Sequence, residues 1–548
     1  MSNPFLCSIQ NQRSLMAGRV RCAIAVAASV VVLQGCGGGG GGGGSSTSPP
    51  GGSNPPATTS DFEQGIFRSD SVYKDVCLNP RGAGFPDTQG TSTDENDWLR
   101  AWSNDIYLWY DEIVDEDPRD FETPEYFDLM RTFATTPSGA DRDQFHFTFD
   151  TEEWEQLSQS GISAGYGMRI VLTSPSTPRE GFVAYLEPGG PADAAGLARG
   201  DTIVEVDGLD FVNVTGDANV DSLNAALFPS GGGETHSFVF RSVTGQQKSV
   251  SMTSAEVVED PVLITRTLPQ PSGGLVGYML FNDHISPAEA RLVDEINGFA
   301  AQGITDLVLD LRYNGGGFLD IANELAFMVA GPAAASGRVF EEIVFNDKHP
   351  VTNPVTGASL SPSTFHQVSQ GFSVPSGRSL PSLNLSRVFV LTTASTCSAS
   401  ESIINGLLGI DMEVVLVGTN TCGKPYGFYP TDNCGTTYFT IQFQGLNAKG
   451  FGDYADGFFP TATPTREDEV LGCVVADDFS QPLGDPSEAM LAAALEYVNT
   501  GSCPVGTNAA NAKTVQLATQ VQGSSAIQGG SLSGGLRIPG RVMRGSSN

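Results

Sequence analysis

Between residues 259 and 503 one pattern repeats: an apolar run, a loop of small and polar residues, then an amphipathic stretch. Gly277 to Ile285 reads as a strand. Residues 287–301 read as a helix, with Ser286 as N-cap and Pro287 in the first turn, where a missing N–H costs nothing. Ile304 to Leu311 is a buried strand that runs into Arg312-Tyr313-Asn314-Gly315-Gly316-Gly317, and Phe318 to Val329 is helical. Arg387 to Leu391 is a further strand, followed by a Ser/Thr/Ala-rich turn through Ser398 and a helix to Leu408. Met412 to Val417 is the next, ending at Gly418-Thr419-Asn420-Thr421-Cys422-Gly423-Lys424. Strand–loop–helix units in series give a layered α/β core with its functional loops at the strand C-termini.

The chain has 548 residues, 40% of them hydrophobic, so it can fill more than one core and wholesale disorder is excluded. The predicted architecture is multidomain α/β. Residues 61–155 hold all four tryptophans. Trp98, Trp102, Ile106 and Trp109 recur at helical spacing after the capping candidates Ser92, Thr93 and Asp94, and Tyr126, Phe127, Met130 and Phe133 suggest a second helix. This region is predicted to be a small helical cap with its aromatic stripe in the core. Residues 156–258 read as short strands. Within them, Pro188-Gly189-Gly190-Pro191-Ala192-Asp193-Ala194-Ala195-Gly196-Leu197 is followed by Arg199-Gly200-Asp201 and an alternating strand closed by an Asp207-Gly208 turn. This stretch resembles a PDZ domain of the bacterial protease-associated type. The resemblance makes Gly165, Tyr166, Gly167 and Met168 a loop that holds a peptide's C-terminal carboxylate on backbone N–H groups. Ser222, Leu223, Ala226 and Leu227 would then lie on the helix bordering that groove. Residues 504–548 are small, polar and Gly-rich, the composition of a disordered tail.

The first 35 residues read as a targeting segment. Arg13, Arg19 and Arg21 form a basic region without acidic neighbours, and the apolar run Ala23 to Leu33 is 11 residues long, too short to span a bilayer. It ends in Leu33-Gln34-Gly35-Cys36, which resembles the lipobox of bacterial lipoproteins. The resemblance implies lipidation of Cys36, cleavage before it and, with Gly37 following, an outer-membrane location in a bacterial envelope. Residues 36–60, rich in Gly, Ser, Pro and Thr, supply a flexible tether to the lipid anchor. The formal charge of −33 repels polyanions, so nucleic acid is not an expected partner.

Beyond Cys36 six cysteines remain: Cys77, Cys397, Cys422, Cys434, Cys473 and Cys503. An even number in an exported chain permits disulfides, with 15 possible pairings. Cys422 and Cys434, flanking a short Gly/Pro-rich segment, are the favoured pair. Cys/His ligand spacings are missing from the sequence, so no metal is expected, and no cofactor.

The chemistry falls on three loops. Ser398 stands where a strand turns into a helix, at a positive dipole end that favours an alkoxide. None of the five histidines lies in a neighbouring motif, whereas Lys424 follows the adjacent strand in uncharged surroundings. A lysine serves as a base there only when burial brings it toward neutrality. Gly315, Gly316 and Ala399 can present backbone N–H groups to an oxyanion. In this order, and behind a PDZ-like region, these motifs resemble the S41 family, the C-terminal processing peptidases. The matching residues are Arg312 to Gly317, Ser398-Ala399-Ser400-Glu401 and Gly423-Lys424, over roughly residues 160–465. The resemblance implies a crotonase-like α/β core, a serine endopeptidase with a Ser398/Lys424 dyad, and protein or peptide substrates recruited by their C-terminal segments. Two features depart from the family: Phe428 stands where a glutamine often follows the lysine, and the family's closing Pro-Asp pair reads Phe459-Pro460-Thr461; residues 425–459 between them look like a divergent loop. The alternatives are an inactive peptide-binding scaffold and a hydrolase of small esters or thioesters on the same core.

Overall fold

The computed structural model describes residues 62–505 except Ser272, together with the backbone of Gly540–Val542. The targeting segment, Cys36 and the tether lie outside the described residues. The N-terminal region contains α1 (Ser92–Ile106), α2 (Thr123–Leu129), β1 (Phe147–Asp150) and α3 (Thr151–Ser160). Helix α1 begins one residue earlier than the predicted caps: Thr91 is the N-cap and forms a reciprocal capping box with Asp94. Trp98, Trp102 and Ile106 are buried together against Tyr126, Phe127 and Met130, as helical spacing predicts. Trp109 falls beyond the helix, and Phe133 is exposed.

The second region is a β-rich module with two helices. It comprises β2 (Ile162–Gly165), β3 (Met168–Ser174), β4 (Glu180–Leu186), α4 (Pro191–Ala194), β5 (Thr202–Val206), α5 (Asp217–Leu227), β6 (Thr235–Arg241), β7 (Gln247–Thr253) and β8 (Ala255–Val258). Strands β7-β6-β5-β4-β3 form an antiparallel sheet, and β2 pairs with β8 at the base. Asp207 and Gly208 both take positive φ, the conformation a two-residue hairpin turn requires. Val220, Leu223, Ala226 and Leu227 of α5 are buried against Phe238 and Phe240 of the sheet.

The third region contains β9 (Val262–Pro269), β10 (Leu275–Phe281), α6 (Ala288–Gln302), β11 (Asp306–Asp310), β12 (Gly316–Phe318), α7 (Leu319–Ala330), β13 (Val339–Phe345), β14 (Arg387–Thr392), α8 (Ala399–Gly409) and β15 (Glu413–Gly418). It continues with β16 (Tyr426–Phe428), β17 (Thr431–Asn433), β18 (Thr436–Phe439), β19 (Phe443–Leu446), β20 (Phe459–Thr461), β21 (Glu469–Val474) and α9 (Ala489–Thr500), and β22 is Gly540–Val542. The main sheet has the order β9-β10-β11-β14-β15-β21-β20, and every neighbouring pair except β9–β10 is parallel. Alternate residues of each strand serve opposite layers. Leu307, Leu309, Val388 and Val390 meet Leu292, Ile296, Leu325 and Ile403 of α6, α7 and α8. Val308, Phe389 and Leu391 meet Met490, Leu491 and Tyr497 of α9, together with Val171, Ala184 and Tyr185 of the second region. Burial on both faces is why these strands read as unbroken apolar runs, each large side chain contributing about 1.5–3 kcal/mol.

Three expectations are corrected. Residues 425–459 contain four strands rather than a loop: β16 pairs with β19 and β17 with β18 within the segment, and β19 also pairs with β13 and β18 with β1, partners remote in sequence. The helical cap is therefore knitted into the core by the β1–β18 ladder. The cysteines pair as Cys77–Cys434, Cys397–Cys422 and Cys473–Cys503, so Cys422–Cys434 does not form. Cys434 sits in the turn between β17 and β18, which brings it to the N-terminal region rather than to Cys422. Within the predicted tail, Gly540–Val542 is a strand lying between β12 and β16, parallel to both; the rest of 506–548 lies outside the described residues.

Candidate active site

Adjacent parallel strands β11, β14 and β15 deliver the three predicted loops to one end of the sheet. The Ser398 turn hangs on the Gly-rich loop. The Thr393 hydroxyl donates to the Arg312 carbonyl, and the Thr396 hydroxyl donates to that of Leu311 at 2.8 Å. The Cys397 N–H and the Ser400 hydroxyl both donate to the Asn314 carbonyl, at 3.0 and 3.1 Å. Ser398 is the N-cap of α8 and is fully buried, with φ 57° and ψ −112°. That conformation is rare for a residue with a Cβ and costs on the order of 1–3 kcal/mol, which surrounding contacts must offset. Among the described residues the Ser398 hydroxyl makes no hydrogen bond, to Lys424 Nζ or to any histidine.

The offset comes from Glu401, a fully buried carboxylate three residues into the same motif. Its Oε2 accepts the N–H of Ser398 at 2.8 Å and that of Lys424 at 2.9 Å. Its Oε1 accepts the Gly423 N–H at 2.9 Å and the Thr421 hydroxyl at 2.6 Å. The backbone nitrogens of Ser398 and Lys424 are therefore at most 5.7 Å apart, the sum of their distances to one shared oxygen. Burial pushes the Glu401 carboxyl above its ordinary range, against the N–H and O–H donors that favour its anion. In the sequence Glu401 closes the Ser398-Ala399-Ser400-Glu401 motif without a role of its own. The signal was present: Ser-x-x-Glu before an apolar helix is the capping-box pattern.

Lys424 is fully buried, and its Nζ lies 4.1 Å from the Phe428 ring centroid and 4.6 Å from that of Phe145. Phe428, at the position where a glutamine was expected, thus faces the lysine as an aromatic wall. Gly423 has φ 86°, and a Cβ there would lie 2.2 Å from the Ala455 carbonyl oxygen, so the turn into Lys424 admits only glycine.

The oxyanion donors are rearranged relative to expectation. The Gly316 N–H donates to Asn314 Oδ1 at 3.0 Å, so of the three predicted donors Gly316 is committed elsewhere. Gly315 precedes it in the loop, and Ala399 opens the first turn of α8, where an N–H has no intrahelical acceptor. Gly317, with φ 131°, lies against His284, whose carbonyl oxygen would be 2.6 Å from a Cβ. His284 was not singled out by sequence. Asn314 Nδ2 donates to the Phe281 carbonyl, leaving Asn314 Oδ1 as acceptor for His284 Nδ1–H at 3.0 Å. Burial holds the His284 imidazole at a pKa of about 3, so it is neutral, and its Nε2 has no partner among the described residues.

A buried ionic network joins the Gly-rich loop to the second region. Arg312 pairs with Asp310, Asp477 and Glu488, and Arg199 donates to Asp477 and the Tyr313 hydroxyl, both at 2.7 Å. Burial opposes ionisation of Asp477, but the guanidiniums of Arg199 and Arg312 hold its carboxyl below the ordinary range. Gly165, Tyr166, Gly167 and Met168 line a cleft of about 450 Å³ that is also lined by Leu227 to Gly232. Four glutamates, Glu153, Glu187, Glu256 and Glu259, and one arginine, Arg169, also border it.

Comparison with known proteins places these two regions. Residues 275–428 match the family model of Peptidase family S41, and residues 156–226 that of the PDZ domain. A carboxyl-terminal-processing protease of Picosynechococcus is 28% identical over 269 residues, 49% of this chain and 56% of that protein. A chloroplastic C-terminal processing peptidase of Tetradesmus obliquus is 28% identical over 31% of this chain and 38% of its own length. The chain thus spans about half, or less, of the length of the relatives it matches. A solved S41 protease candidate from Bacteroides fragilis is 26% identical with a TM-score of 0.54, covering 77% of this chain and all of that one.

Proposed function

We propose, from the premise that this chain carries an S41-family peptidase domain preceded by a PDZ domain, that it is a serine endopeptidase using Ser398 and Lys424. The observation that carries the reading is the single Glu401 carboxylate binding the N–H groups of both residues, one of them strained and buried. In the reaction, Lys424 Nζ accepts the Ser398 proton while Oγ attacks the scissile carbonyl carbon. The oxygen becomes an anion facing the N–H groups of Gly315 and Ala399. Collapse expels the amine, which takes its proton from Lys424, and water then attacks the acyl-serine with Lys424 again as base. The encounter requires Nζ to be unprotonated, and the apolar walls of Phe145 and Phe428 exclude the water that would stabilise the ammonium.

The cleft at Gly165 to Met168 serves substrate recruitment, taking a peptide as an added strand with its C-terminal carboxylate on the loop. The glutamates around it favour peptides with basic side chains. Three disulfides among the described residues support residence in an oxidising compartment, in keeping with an envelope protein anchored through Cys36 at the outer membrane. Fractionation tests the anchor: Cys36→Ala protein that still cofractionates with the outer membrane would sink it. A fluorophosphonate probe tests the chemistry. Wild type is expected to be labelled at Ser398 and to cleave unfolded protein, and Ser398→Ala to do neither. An unlabelled wild type that still binds peptide would make the chain a scaffold.

A further inference from the structure

The turn carrying Ser398 and the turn carrying Lys424 are joined by a covalent bond as well as by Glu401. Cys397 immediately precedes Ser398, Cys422 lies two residues before Lys424, and the two form a disulfide with Cα atoms 5.2 Å apart. Both turns are irregular segments hung at the ends of neighbouring strands, β14 and β15. The Cys422 N–H donates to the Thr396 carbonyl at 3.0 Å, and Cys422 Sγ lies 3.4 Å from Glu401 Oε2. The cross-link therefore lies against the carboxylate that organises the site. Cys397 is buried, whereas Cys422 is only half-buried, so a small reductant has an approach to the bond from that side. The other disulfides lie elsewhere: Cys77–Cys434 ties the N-terminal region to the β17–β18 turn, and Cys473–Cys503 ties β21 to the segment after α9.

We propose that the Cys397–Cys422 disulfide is a positioning element of the active site, holding Ser398 in register with Lys424, and that its reduction lowers turnover while leaving peptide binding intact. The inference rests on the Ser398/Lys424 reading. Two strands fix where each turn begins but not how their side chains meet, and the strained backbone at Ser398 relaxes unless both flanks are held. Reduction by a trialkylphosphine balances simply. The phosphorus attacks one sulfur, the S–S bond breaks and the second sulfur leaves as a thiolate. Water then hydrolyses the thiophosphonium, giving two thiols and one phosphine oxide, so the phosphine loses the two electrons that the disulfide gains.

The test compares full-length wild type, Cys397→Ala/Cys422→Ala and the control Cys473→Ala/Cys503→Ala, each with and without tris(2-carboxyethyl)phosphine. Readouts are kcat and KM for a peptide, the pH dependence of fluorophosphonate labelling at Ser398, and mass-spectrometric mapping of reduced pairs. Reduction of Cys397–Cys422 in wild type is expected to lower kcat and labelling by about tenfold or more, the cost of a small misplacement of reacting groups, with KM within about twofold. Oxidised glutathione is expected to restore both. The Cys397→Ala/Cys422→Ala protein starts at the reduced level with a shifted labelling pH profile and ignores the phosphine, whereas the control responds like wild type. Wild-type kcat in the reduced protein, or a loss that tracks another pair, overturns the inference. If the double variant does not fold, the wild-type reduction and reoxidation series decides alone. A labelled wild type indifferent to reduction refutes only this inference. An oxidised wild type that is neither labelled nor active refutes the peptidase reading and this inference with it.

Discussion

Replacing Glu401 separates its two possible substitutes by a margin that follows from the bond geometry. The carboxylate accepts two donors on each oxygen: Ser398 and Lys424 N–H on Oε2, Gly423 N–H and the Thr421 hydroxyl on Oε1. Glutamine keeps the shape but turns one oxygen into a donor. Its amide nitrogen is better tolerated on the Oε1 side, because the Thr421 hydroxyl can rotate and accept, leaving only the Gly423 N–H without a partner. One orphaned buried donor costs about 1–3 kcal/mol, so Glu401→Gln is expected to fold with a Tm lowered by a few degrees. Its Ser398 and Lys424 N–H groups stay bound, and fluorophosphonate labelling should fall by less than about tenfold, equivalent to about 1.4 kcal/mol. Glu401→Ala removes the acceptor for all of them. Even at the low end of that range the loss is about 4 kcal/mol, a large share of a typical stability of about 5–15 kcal/mol. Labelling should be abolished in whatever fraction remains folded. Thermal unfolding by calorimetry, paired with the labelling rate at matched folded fraction, measures both quantities. Equal Tm and equal labelling for wild type and both variants would refute the clamp.

Lys424→Arg should lose about 10²–10⁴-fold in kcat, nearly as much as Lys424→Ala, since a guanidinium does not deprotonate; activity near wild type would remove Lys424 and point to His284, whose Nε2 faces no described partner. Burial holds His146 and His284 at pKa values of about 4 and 3, below the unfolded value, so the unfolded chain takes up more protons as pH falls below about 6.5. Denaturant titration at pH 7 and 5 should show roughly 3–4 kcal/mol less stability at the lower pH from these two groups, and unchanged stability would contradict their neutral burial. Amidating the C-terminus of a bound peptide should weaken its affinity for the cleft at Gly165 to Met168 by about 1–3 kcal/mol, read by calorimetry, and equal binding would remove the carboxylate loop. β22 lies on Gly316–Phe318 of the Gly-rich loop and on Gly427 and Phe428 beside Lys424, a position that would hinder substrate approach, so deleting residues 506–548 while keeping Cys503 should raise turnover of a short peptide; unchanged KM and kcat would mean that this strand does not obstruct the site.

Much of the site was legible because its signals are local. A strand buried on both faces must be apolar throughout, so Ile304 to Leu311 and Arg387 to Leu391 announced themselves. The Ser398 and Lys424 turns were found because each directly follows such a strand, and a hairpin turn such as Asp207-Gly208 is specified by its two residues alone. What only the tertiary structure decided is which remote segments meet. The pairing of Cys77 with Cys434 depends on β1 adding to β18, about three hundred residues away, and neither strand's sequence names its partner. The Cys397–Cys422 bond follows from β14 and β15 lying side by side, which aligns the turns after them. The Gly316 N–H is withdrawn from the proposed oxyanion hole because Asn314 folds back on its own loop. Glu401 shows the division within one residue: its place as a capping acid is written in Ser-x-x-Glu, but its second duty to Gly423 and Lys424 exists only because the sheet brings another loop's N–H groups to the same carboxylate. A backbone donor carries no identity in the sequence, and only packing determines which acceptor it meets.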